Sequence, residues 1–285
     1  MRNVVLSGAV DLTGFRQAAR GLLTADVPPE QVAWHSSTEA TQDLFSLDEA
    51  IQVEPFTPSN ETAASIRVPP EFASLCASVI LHSDLNRFGL LYRLLWRLKT
   101  EPSLRHDPLD ADWLQAQRMA QAVRRDMHKM KAFVRFREVA DDATSPLHIA
   151  WFEPEHHMLE ATAPFFVRRF TQMRWAILTP LCSAAWNGEA LTLGPGGKKQ
   201  DVPPADAGEA LWLTYYQNIF NPARLKLKMM QKEMPKRYWK NLPEAQFITE
   251  LAAGAAERRT RMVDAAASVP KRRIPAYSPK TLLNK

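Results

Sequence analysis

The chain has 285 residues, 46% apolar and 24% charged, which is the composition of an ordinary globular protein with room for a sizeable core. No apolar run approaches the ~20 residues that span a bilayer, and Arg2, Asp11 and Arg16 around a very short apolar stretch argue against a signal peptide. The formal charge of +5 is uneven: residues 1–100 sum to −3, 101–200 to +1 and 201–285 to +7, a bias that points to a polyanionic partner.

The first elements read as strand, helix, strand. Asn3–Leu6 is a short apolar run ended by Gly8. Asp11 or Thr13 can cap a helix running to Leu23, with Phe15, Ala18, Ala19, Leu22 and Leu23 on one face. Pro28-Pro29 breaks it, and Val32-Ala33-Trp34 fits a second strand. Residues 54–62 form a polar, Pro-containing loop.

Residues 70–137 are mainly helical in pattern. Pro70 opens a helix carrying Phe72, Leu75, Val79 and Ile80, and proline suits a first helical position. A second runs from Asn86 to Leu98. A third starts at Pro108 or Asp110 and reaches about Lys129, with Trp113, Ala116, Ala120, Val123 and Met127 stepping by three and four. At Lys131 the period changes to two, which predicts a strand through Arg137 paired with Leu147–Phe152 in a hairpin. A helix is expected from Pro154 to Met173, then a strand at Trp175–Thr179. Asn187-Gly188 is a favoured two-residue hairpin turn between Ala184–Trp186 and Ala190–Leu193. Helices are expected near 206–220, 222–234 and 243–264. The fold class is therefore α+β, predominantly helical, with a small antiparallel sheet whose hairpins lie near 131–152 and 175–193. Residues 1–65 form a strand–helix region, 66–265 the main domain, and 266–285 a basic, Pro-rich tail or linker.

Two cysteines, Cys76 and Cys182, lack any CxxC spacing, so neither a disulfide framework nor a Cys-rich zinc site is expected. They fit a reducing, cytoplasmic setting. No Walker loop, GxGxxG or nucleophile elbow is present. The residues call for no cofactor and no metal.

Four segments carry candidate functional residues. In Arg124–Arg137, Lys129, Lys131, Arg135 and Arg137 surround Phe133. On a strand, Lys131, Phe133, Arg135 and Arg137 share one face, which suits phosphate pairing and base stacking. The ordinary alternative is a solvated cationic strand. Trp151–His157 places His156 and His157 beside Glu153 and Glu155. With Asp126 and His128 they are the cluster most able to transfer protons, although adjacent histidines point ~100° apart on a helix and suit a metal poorly. Pro164–Phe170 offers Arg168 and Arg169, which could equally be surface arginines on a core helix. Arg224–Lys240 is the most basic stretch and ends in Lys236, Arg237, Tyr238, Trp239 and Lys240; a solvated helix face followed by packed aromatics is its plainer reading.

The strings Arg125–Arg137, Ala150–His157, Ala163–Phe166, Trp175–Pro180 and Pro235–Glu244, in this order, resemble a family of bacterial DNA-metabolism proteins whose domain is of unknown function. The likeness extends over roughly residues 3–265. Members stand alone beside a DNA-repair radical-SAM protein or are fused ahead of a UdgX-type uracil-DNA glycosylase. The resemblance implies a DNA repair or modification setting, with single-stranded or damaged DNA as partner, a glycosylase or radical-SAM protein as associate, and no membrane. It implies no reaction. With the chain ending at Lys285, neither glycosylase activity nor an iron–sulfur cluster is expected of it. Three readings stand: a DNA-binding accessory protein, an enzyme acting on DNA or nucleotides through the His/Asp cluster, and a protein-interaction scaffold.

Overall fold

Asp11 starts the first helix by satisfying amides that a helix leaves unpaired. In the computed structural model its carboxylate accepts from Gly14 N at 2.7 Å and from Ser7 N and Oγ at 3.1 and 2.6 Å. The structure describes residues 1–37, 68–139, 146–201, 227–243 and 245. It divides into two units, 1–206 and 207–285. The expected 65/66 boundary, the helices near 206–220 and 243–264, and the 266–285 tail lie outside the described residues.

In the first unit, β1 (Arg2–Leu6) leads through α1 (Leu12–Thr24) to β2 (Val32–Ser36), which pairs with β1 in parallel. Three helices follow: α2 (Pro70–Val79), α3 (Arg87–Thr100) and α4 (Ala111–Phe133). Their apolar stripes close one core with α1 and β2. At its centre the rings of Phe15 and Trp34 lie 5.0 Å apart, and Trp34 packs 5.7 Å from Tyr92. The buried Tyr92 hydroxyl donates to Val27 O at 2.6 Å, as a buried phenol must find a partner. Asp110 caps α4 through Trp113 N, and also joins Asp112 in binding Arg97 and Arg93 of α3.

The third long helix passes its expected end. Lys131 and Phe133 lie in the last turn of α4, and Arg135 in an extended link, so the four residues expected on one strand face do not share one. Buried Val123, Asp126 and Met130 continue the three-and-four stripe, and that long-range burial overrides a short alternating run. Only Arg137 of the four enters the sheet, in β3 (Arg137–Val139), paired antiparallel with β4 (Leu147–Trp151). Residues 140–145 between them lie outside the described set.

The sheet has five strands in the order β3-β4-β5-β6-β7, with β5 (Arg174–Leu178), β6 (Cys182–Trp186) and β7 (Leu191–Pro195). It is antiparallel except between β4 and β5, which are parallel because α5 (Leu159–Arg169) crosses over between them. The β6–β7 connection spans Asn187–Ala190 rather than two residues. Asn187 Oδ1 accepts from the amides of Glu189 and Ala190 at 2.8 and 2.7 Å, and Gly188 takes φ +103°. In the second unit, α6 (Leu227–Glu233) and α7 (Lys236–Trp239) are separated at Pro235. Among the described residues, no helix is long and apolar enough to cross a membrane.

Candidate functional site

The last turns of α4 sort their side chains by helical period. Asp126 and Met130 are buried, whereas Arg124, Arg125, His128 and Lys131 are exposed. Arg135 closes the helix, its guanidinium donating to Ala132 O at 2.8 Å and Val134 O at 3.2 Å, where a cation meets the negative end of the helix dipole. Phe136 then pins the link to the sheet and α5, its ring 5.3 Å from Phe170 and 6.0 Å from fully buried Trp175. This anchoring brings two distant cationic segments together. Lys131 Nζ lies 5.1 Å from the Phe165 ring on α5, Lys129 lies 5.8 Å from Phe133, and Arg169 stands 5.8 Å from Phe170. Arg168 and Arg169 are exposed at the end of α5. Among the described residues Arg124, Arg125 and Arg168 have no acidic partner within salt-bridge distance. The result is a ledge of cations with half-buried phenylalanines between them. Lys129, Arg135 and Arg137 make further contacts, so none of the three stands free.

In the second unit, Lys236 and Lys240 are exposed around α7. Tyr238 is buried and its hydroxyl accepts from the Arg237 guanidinium, whose carbon lies 4.5 Å from the same ring. A buried ring has no face to offer a base. Trp239 is half-buried, with Nε1 donating to Met234 O at 2.9 Å.

The proton-transfer candidates separate. Asp126 Oδ2 accepts from Glu155 N at 2.7 Å and His156 N at 3.1 Å, and His157 N donates to Leu81 O at 2.9 Å. These tertiary bonds hold residues 152–158 as a loop, so α5 starts at Leu159 instead of near Pro154. His156 is buried and joined to Asp126 through its backbone, while exposed His128 lies on the opposite face of α4. Sequence reasoning missed the residue that His156 does meet. Its ring packs against His82, with centroids 4.3 Å apart and planes tilted by 32°, and its Nδ1 accepts from Ser83 N at 3.3 Å with Ser83 Oγ at 3.1 Å. His82 Nδ1 accepts from Asp84 N at 3.0 Å. Both neutral rings therefore carry their proton on Nε2, the donor tautomer, and His156 Nε2 is buried with no hydrogen-bond partner. The polar turn His82-Ser83-Asp84 between two helices was the available signal.

Burial holds both rings below the ordinary histidine range. For His156, nearby His82 and His157 add to the depression and Asp126 opposes it; for His82, Asp84 opposes it and Arg87 adds to it. An unfolded histidine titrates at about 6.5, so below that pH the unfolded chain takes up protons before these two rings do. Stability is then lost as pH falls from about 6.5 toward the depressed folded-state values of the two rings. The thermal midpoint is expected to fall between pH 7 and pH 5. His82→Phe, which keeps a ring against His156 but cannot charge, should make that fall shallower; an unchanged slope would refute the assignment.

The structure thus defines an α+β protein with a cationic, phenylalanine-studded ledge and, in the same unit, a histidine pair made of buried His156 and half-buried His82. Residues 85–244 match the family described as a domain of unknown function, DUF4130, and since the match covers more than half of the chain, the protein belongs to that family. No curated protein and no solved structure matches the chain.

Proposed function

We propose that this chain is a DNA-binding accessory protein in DNA repair or modification, working with a uracil-DNA glycosylase or a radical-SAM repair enzyme. The observation that carries the reading is the ledge itself: Lys131 of α4 lies against the Phe165 ring of α5, Arg168 and Arg169 are exposed at the end of α5, Arg124 and Arg125 are exposed farther back along α4, and the rings of Phe133 and Phe165 are partly exposed. Cations at this density suit phosphates, and the rings suit unpaired bases, which favours single-stranded or distorted DNA over regular duplex. The resemblance to DNA-metabolism proteins supports the setting and the partners. Catalysis is not part of the proposal. Asp126 is occupied by backbone amides, and His128 does not meet His156.

Fluorescence anisotropy with a short labelled single strand at ~50 mM salt tests it. Wild type should bind. The variant Arg124→Gln, Lys131→Gln, Arg168→Gln, Arg169→Gln should bind on the order of a hundredfold more weakly, as expected for four lost phosphate contacts. Equal affinity in the two proteins would refute the reading. If that variant also still captured the glycosylase or radical-SAM protein after nuclease treatment, the chain would be a scaffold instead.

A further inference from the structure

A cavity of about 330 Å³ opens between α1 and α2, lined by none of the residues of the ledge or the histidine pair. Its wall is built from Phe15, Leu23, Phe72 and Leu95, with Cys76 among the buried groups lining it. Two cations, Arg16 and Arg20, also line it; they stand one turn apart on α1 and are exposed. Like charges four residues apart on a helix repel. Among the described residues neither arginine has a carboxylate partner within salt-bridge distance. Except for Leu95, all these residues precede the part of the chain that matches the family.

We infer that this cavity is a binding site for a small amphipathic anion, an apolar aliphatic or aromatic body bearing one carboxylate, sulfonate or phosphate. The size suits such a body, since small-molecule sites begin near ~300 Å³. The acid group would lie between Arg16 and Arg20, relieving their repulsion and meeting a guanidinium fork that matches its oxygens. The body would lie along Phe15, Phe72 and Leu95. Apart from the two arginines, the lining side chains are apolar or, in Cys76, a weakly polar thiol. A nucleobase placed there would lose hydrogen bonds to water with nothing in exchange, so the site selects a body without polar edges. Burial pushes the Cys76 thiol up to about 12, opposed in part by the charge of Arg16, so the cavity holds no competing anion.

The test uses two fluorescent probes with similar ring systems, anilinonaphthalene sulfonate, which is anionic, and phenylnaphthylamine, which is neutral. The intact protein should bind the sulfonate at one saturable site. The double variant Arg16→Gln, Arg20→Gln changes only exposed side chains; it should bind the sulfonate at least ~10-fold more weakly and the neutral probe within ~2-fold of wild type. Ala73→Leu fills the cavity from α2 with a good helix former and should weaken both probes by at least ~10-fold at an unchanged thermal midpoint. Sulfonate binding that survives either set of substitutions, or is never saturable, would overturn the proposal. So would an equal loss of both probes in the arginine variant.

Discussion

Arg87→Ala should cost about 3–5 kcal/mol, a large share of the ~5–15 kcal/mol that holds a typical domain folded. The guanidinium has no exposed surface, and its donors reach three backbone carbonyls: Ile80 at 3.1 Å, Asp84 at 2.8 Å and Ala9 at 2.6 Å. It also lies 4.3 Å from the Phe88 ring. Alanine would leave the carbonyls without these donors, and each unpaired buried polar group costs about 1–3 kcal/mol. Lysine keeps the charge, but a single ammonium lacks the fork needed to serve three separated oxygens, so Arg87→Lys should recover only part of the loss. Urea denaturation checks this through the midpoint shift at constant slope. A loss below ~1 kcal/mol for alanine would mean that water replaces the guanidinium. The effect also reaches the histidine pair, because Arg87 holds the Asp84 carbonyl of the turn that carries His82 and Ser83.

Asp126→Ala is expected to cost about 2–4 kcal/mol, because two backbone amides that now donate to one carboxylate oxygen would lose their acceptor inside the protein. Asp126→Asn keeps a carbonyl oxygen in place and should lose about half as much, the difference between a charge-assisted and a neutral bond. This ordering separates an anchoring role from an acid–base role. If Asp126 only anchors the loop, the asparagine variant should retain DNA binding along with most of its stability. Thermal melts of the two variants give the order, and equal losses would contradict it.

The helices of the first unit were legible because their apolar residues recur at three and four and because Asp11 and Asp110 mark their starts. Two of the misreadings have one cause, contacts distant in sequence. Lys131–Arg137 alternates for too few residues to distinguish a strand from a helix end, and burial of Met130 decided for the helix. Residues 154–158 resemble a helix start, but Asp126, about 30 residues earlier, takes their amides. The candidate site was legible in composition and not in assembly. The cations of both segments could be named from sequence, whereas their meeting depends on Lys131 reaching Phe165 and on Phe136 packing between α5 and β5. His82 escaped notice because a polar turn has no period, and the partner of its neighbour Ser83 lies 73 residues away. Nothing in the sequence distinguishes Arg87 from a surface cation at a helix start; only the fold buries it.

The proposal that the α4–α5 ledge holds nucleic-acid phosphates is tested most directly by the salt dependence of binding. Plotted as the logarithm of the association constant against the logarithm of salt concentration, each single-strand phosphate contact contributes a slope of about −0.7. Replacing Arg124, Lys131, Arg168 and Arg169 by glutamine should make the measured slope shallower by about 3. A slope unchanged from wild type would put the phosphates elsewhere and contradict this assignment of the ledge.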